Sequence, residues 1–187
     1  MLMPWQDKSE VMMRHKLSKM TMTSVLIALA LALAIAENLV IPLLRIPIPG
    51  AKIGLSNVAV LVAIYFVGPW YAFVVMLVRV FVVFIFGGNT VALVFSLFGG
   101  VMAYLTMLIL RNSKRFSLFG ISAGGAFAHA LGQITAAIIM TGSISVLFYL
   151  PILTGFSLAA GIVVAILAVP IFKALVKFEN SSYSSEL

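Results

Sequence analysis

The sequence predicts an all-α membrane protein: a bundle of six transmembrane helices, with both ends of the chain on the cytoplasmic side. Three observations predict it. The 187 residues are 63% hydrophobic and 9% charged, with a mean hydropathy of +1.21, and no soluble core can hide that much apolar surface. Six apolar stretches approach the roughly 20 residues that a helix needs to cross a bilayer. Lysine and arginine gather on one side of those stretches.

Residues 1–19 read as a basic cytoplasmic tail, 20–177 as one membrane domain and 178–187 as a second cytoplasmic tail. The first span covers 22–44. Its basic lead-in and its Ala34-Ile35-Ala36 imitate a secretory leader with a small-residue cleavage site. Apolar residues resume at Leu39–Leu44 and the basic stretch is long, so this segment reads as a retained span. Arg45-Ile46-Pro47-Ile48-Pro49-Gly50 follows as the longest non-helical link, because proline disfavours helix in itself and in the residue before it. The second span, 53–67, is short and carries Asn57. Gly68-Pro69 turns the chain into the third, 69–86, and Gly87-Gly88-Asn89 into the fourth, 90–110. The fifth covers 117–141, and Thr141-Gly142-Ser143 leads to the sixth, 145–172. Trp70, Tyr104 and Tyr149 are of the type that anchors at membrane interfaces.

With six spans and an inner N-terminus, Lys8, Arg14, Lys16, Lys19, Arg111, Lys114, Arg115, Lys173 and Lys177 all fall inside, against Arg45 and Lys52 outside. The net charge of +7 is thereby explained by orientation. No basic stripe interleaved with aromatics points to nucleic acid.

Several function classes lack their residues. No P-loop motif is present, so ATP has no such site on this chain. Asp7 is the one aspartate, which leaves no acidic pair to hold magnesium on a diphosphate. There is no cysteine, and His15 and His129 lie far apart. No catalytic constellation, metal site or cofactor site is predicted, and the chain reads as a binding or transport protein rather than an enzyme.

The polar residues inside the apolar spans carry the functional reading, because a polar group in lipid needs a partner or a purpose. They are Glu37 and Asn38 in the first span, Asn57 in the second, Arg79 in the third, and His129 and Gln133 in the fifth, within Phe-Ala-His-Ala-Leu-Gly-Gln at 127–133. Lys52 and Arg45 lie just outside. A cluster at one depth, drawn from four helices, predicts a cavity open to the outer side. His129 and Gln133 are four apart and share a helix face with the small residues Ser122, Gly125 and Ala136. They either bond neighbouring helices or contact a small-molecule substrate. Glu37 and Arg79 either form an internal salt bridge, or Arg79 receives an anionic group, with Lys52 adding to the field.

Alanines at 28, 32 and 36 make a stripe along the first span. With six short spans and inner termini, this resembles the S components of energy-coupling factor (ECF) transporters, membrane subunits that bind vitamins or related nutrients. The resemblance implies an S-component-like bundle and an Ala-x-x-x-Ala stripe that docks on a T component served by two ATPases.

The stretches Pro49-Gly-Ala-Lys52-Ile-Gly54-Leu-Ser-Asn57, Phe73–Arg79 ahead of Phe86-Gly87-Gly88, and Ala128-His129-Ala-Leu-Gly-Gln133 are similar to the Gx transporter family, often labelled heptaprenyl diphosphate synthase component I. The expected function is therefore a substrate-binding subunit in a bacterial inner membrane. It would take a small organic, anionic compound and close the Arg45–Gly54 loop over it. Ala28, Ala32 and Ala36 would dock the partner, and Arg79, Lys52, His129, Gln133, Asn57 and Glu37 would form the site. An accessory membrane subunit of an isoprenoid synthase and a stand-alone secondary transporter are the alternatives.

Overall fold

The computed structural model describes residues 4–40, 52, 54–87 and 89–184. The loop with Arg45, expected to close over a substrate, lies outside the described residues apart from Lys52 and Gly54. Helices make up the architecture: α1 (Pro4–Val40), α2 (Asn57–Phe66), α3 (Pro69–Gly87), α4 (Thr90–Asn112), α5 (Leu118–Thr141) and α6 (Leu150–Ser184), with a 3₁₀ turn at Ile144–Tyr149 before α6. Five helices are long and apolar enough to cross a membrane, which makes this a multi-pass membrane protein.

One sequence expectation is corrected. The second span is the ten-residue α2, about 15 Å long at the usual rise and too short to cross alone. Asn57 to Ile64 are all buried, with α1, α3, α4 and α6 packed around them. The chain enters α2 through a tight turn instead of more helix. Gly54 has φ +91°, and Asn57, Val58 and Ala59 donate back three residues to Gly54, Leu55 and Ser56. The segments read as tails are also helical, since α1 begins at Pro4 and α6 reaches Ser184. Nothing between Trp5 and Val40 is glycine or proline, so no residue there stops the first helix.

The turns follow the expected chemistry. Gly68, at φ +120°, lets its N–H reach back to Ala63, and Pro69 opens α3. Asn89 caps α4 by accepting from the Ala92 N–H at 3.0 Å, and Ser117 caps α5 by accepting from Gly120 at 3.2 Å. Gly142 ends α5 in the left-handed region.

Small residues set the helix spacing. A Cβ on Gly132 of α5 would lie 2.5 Å from the Phe98 carbonyl oxygen of α4, so the two backbones touch there. A Cβ on Gly161 of α6 would lie 2.8 Å from that of Ala126, and Ser122 donates to the Gly161 carbonyl at 2.7 Å. At the far end of α2, Tyr65 and Phe66 meet Phe172 edge-on at 5.1 and 4.8 Å, and Arg111 sits over the Tyr65 ring. Tyr104 donates to the Pro69 carbonyl at 3.1 Å.

Gly132→Ala is expected to destabilise by about 1–3 kcal/mol, the usual cost of overpacking, because a backbone carbonyl cannot rotate away. Gly155→Ala, with nothing within 4 Å of the new methyl, is expected to be neutral or slightly stabilising. Thermal unfolding of both variants in one detergent checks the contrast.

Candidate functional site

The six polar residues singled out by sequence are all buried: Glu37, Lys52, Asn57, Arg79, His129 and Gln133. Their elements bring them to one region of the bundle. Glu37, near the end of α1, accepts the Gly54 backbone N–H on Oε1 at 2.6 Å. Gly54 is the junction of the site. A Cβ there would lie 3.0 Å from Asn57 Nδ2 and 3.5 Å from His129 Cδ2. The bare glycine thus sits between the start of α2 and the middle of α5, in a backbone conformation that other residues rarely adopt.

The α4 glycines form the opposite wall. A Cβ on Gly99 would lie 2.8 Å from His129 Cε1, so the imidazole rests directly on that glycine. A Cβ on Gly100 would lie 3.3 Å from Arg79 Nη2. Arg79 of α3 and His129 of α5 therefore flank the same glycine pair. Gln133 Nε2 and His129 Nε2 are 3.0 Å apart, as their i, i+4 spacing predicts.

Glu37 and Arg79 take separate partners. They do not pair directly: Glu37 holds Gly54, and Arg79 Nη1 donates to Ser56 Oγ. Among the described residues, Arg79 Nε and Nη2, Gln133 Oε1, Asn57 Oδ1 and His129 Nδ1 are buried with no hydrogen-bond partner. Such groups are few in a settled interior, and each calls for an explanation. Lys52 completes the charge set from outside the helices. Burial pulls its ammonium below the ordinary lysine value, and Arg79 nearby pulls the same way while Glu37 opposes.

Beside this cluster a crevice runs between Gly54 and Asn57 and the residues Met107, Gly125 and Gly161. It is narrow. A nutrient-sized molecule enters only if the covering segments move.

Six residues at or level with the site were not among the sequence candidates. Ser56 and Gly54 belong to the Lys52–Asn57 stretch, but nothing in the pattern shows that a hydroxyl there would meet Arg79. Gly99 and Gly100 read as packing glycines, and their role as a seat for His129 and Arg79 depends on the α4–α5 crossing. On α6, Thr154 Oγ1 and Ser157 Oγ are buried and unpartnered. Counted outward from the Ser122–Gly161 contact along the antiparallel α5 and α6, they reach the level of His129 and Ala126.

Ala28, Ala32 and Ala36 are exposed on α1, whereas Ala30, Ala34 and Glu37 are buried. The two alanine stripes thus point in opposite directions. Asn38 is exposed beside the outer stripe.

A family model described as heptaprenyl diphosphate synthase component I matches residues 26–171, a stretch that contains both the buried cluster and the outer alanine stripe. No curated protein and no solved structure matches the chain.

Because Glu37 serves Gly54 rather than Arg79, neutralising both charges is not expected to restore stability. Glu37→Leu is expected to lose about 1.5–3 kcal/mol, the usual worth of a hydrogen bond to a charged group. Glu37→Gln keeps an acceptor and is expected to lose less. Combining Glu37→Gln with Arg79→Gln is expected to add the two losses. Mutual rescue in a thermal-unfolding double-mutant cycle would reinstate the salt bridge.

Proposed function

The chain belongs to the heptaprenyl diphosphate synthase component I family, and from that premise we propose that it is the substrate-binding (S) subunit of an ECF-type uptake transporter. In this reading it captures a small organic compound from outside a bacterial inner membrane. A T component and two ATPases supply the energy. Binding, not catalysis, is its task. No cofactor is called for, and lipid is the surrounding solvent.

The observation that carries the reading is the convergence of buried polar side chains from α1, α2, α3 and α5 on the Gly54–Gly99 region, with five of their atoms lacking partners among the described residues. A purely structural network would be expected to satisfy its own members, since an unpaired polar atom at membrane depth is costly. A binding site leaves them for a ligand. Arg79 and Lys52 attract an anionic group, and His129, Gln133 and Asn57 fix orientation. The Lys and Arg distribution sets both termini inside.

The α1 helix supports the second half of the proposal. Its exposed Ala28, Ala32 and Ala36 offer a smooth strip on which another helix can approach closely, while Glu37 on the buried side holds the site. The family's description favours one other reading, an accessory membrane subunit of an isoprenoid synthase. Co-purification with a soluble synthase instead of ATPases would support it.

Ala32→Leu separates binding from coupling. The variant is expected to fold normally, because Ala32 is exposed on α1, yet to lose assembly with the T component and ATPases and to stop uptake. Pull-down of that module by wild type and variant, beside thermal unfolding of each, provides the measurement. Normal assembly and uptake by Ala32→Leu would remove the docking role.

A further inference from the structure

The unpartnered atoms have a definite polarity. Arg79 spends Nη1 on Ser56, and its Nε and Nη2 have no partner among the described residues. Those two N–H groups point the same way along one edge of the guanidinium, the fork that matches the two oxygens of a carboxylate. The other free atoms of fixed polarity are acceptors, Gln133 Oε1 and Asn57 Oδ1. Gln133 has its Nε2 turned to His129 Nε2, which leaves its oxygen over. One part of the site therefore asks for an oxyanion and another for a hydrogen-bond donor.

Charge narrows the class. Among the described residues, Arg79 and Lys52 face one carboxylate, Glu37, which leaves one positive charge for an incoming anion. A polyprenyl diphosphate would bring at least two negative charges and no N–H or donor hydroxyl. It would overload the site and leave both amide oxygens unpaired. Size narrows it further, because there is no room for even a methyl between Gly99 and His129, and little between Gly54 and Asn57 or Gly100 and Arg79.

We propose that the site takes a compact monocarboxylate that also carries an N–H or O–H donor, its carboxylate on the Nε–Nη2 edge of Arg79 and its donor on Gln133 Oε1 and Asn57 Oδ1. The proposal rests on the reading of the chain as a substrate-binding subunit and adds the chemistry of the substrate.

Four probes test it on the full chain in lipid nanodiscs by titration calorimetry. Pyrrole-2-carboxylate has both features, furan-2-carboxylate lacks the donor, pyrrole-2-carboxamide lacks the charge, and geranyl diphosphate has the wrong charge and no donor. Pyrrole-2-carboxylate is expected to bind at millimolar concentration. The furan and the carboxamide are each expected to bind about ten-fold or more weakly, the scale of one lost buried polar contact. Gln133→Met is expected to shrink the pyrrole–furan gap while the furan is held as before. Equal binding of furan and pyrrole carboxylates overturns the donor requirement, and equal binding of the carboxamide overturns the anion requirement. Binding of geranyl diphosphate alone overturns the substrate class but leaves a ligand-binding subunit. Binding of no probe overturns the proposal. If the same sample also fails to capture the ATPase–T module, the transporter reading falls with it.

Discussion

A buried carboxylate holds the backbone of a neighbouring segment, and the rest of the site depends on that bond. Glu37 Oε1 receives the Gly54 N–H at 2.6 Å. An ionisable group at this depth costs several kcal/mol unless it is paired or hydrogen-bonded, so a charge-assisted bond to a fixed N–H is the compensation that keeps Glu37 inside. The bond pins Gly54 in its left-handed conformation. From there the chain turns into α2, which places Ser56 against Arg79 and Asn57 beside His129. If Gly54 moves, three helices lose their common point.

Close backbone contact is the second constraint. Lipid tails are as apolar as leucine, so helices in a bilayer gain little by hiding from their solvent and gain mainly by packing tightly. Gly99 serves two such contacts at once. Its Cα lies 2.8 Å from where a Cβ on Gly132 would be, and its own missing Cβ makes room for the His129 ring. The α5 stretch from His129 to Gln133 thus alternates purpose along one turn: Gly132 lets α4 approach, and His129 and Gln133 occupy the space beside the contact. Polar side chains fit at the centre of this bundle because glycines removed the volume they need.

Much of this was legible in the sequence. Apolar runs and Gly-Pro, Gly-Gly-Asn and Thr-Gly-Ser breaks locate α3 to α6, since hydropathy and turn chemistry are local properties. Glu37, Asn57, Arg79, His129 and Gln133 stood out because lipid makes any such residue costly, and the fold gathers them, whereas Asn38 of the first span is exposed. The i, i+4 pairing of His129 with Gln133 followed from helix geometry alone. What escaped depends on non-local packing. The length of α2 is limited by how Gly54 is held from α1, and a 15-residue apolar stretch gives no sign that a third of it is turn. The choice of Gly54 over Arg79 as the partner of Glu37 is likewise invisible, because opposite charges in sequence suggest a pair while the structure offers the carboxylate a nearer backbone donor. Helix in the basic lead-in of α1 was missed for a different reason. Charge marks a segment as water-exposed without deciding its backbone.

The two faces of α1 connect these constraints. Ala28, Ala32 and Ala36 advance about 40° per step, and Glu37 lies roughly 180° from Ala28 at 100° per residue. One side of the helix is an exposed strip of small residues and the other carries the carboxylate that fixes Gly54. A hydrogen bond of 2.6 Å tolerates only a few tenths of an ångström before it weakens. A rotation or slide of α1 large enough to change its outer contacts must therefore draw Gly54 along or release it. Either response alters the space between Asn57, His129 and Arg79. The same geometry works in reverse, because a molecule that repositions Gly54 pulls on Glu37 and hence on α1. In the proposed function, a partner on the outer strip and a ligand at the inner cluster would thus be joined through one helix and one bond, with no long chain of intermediates required.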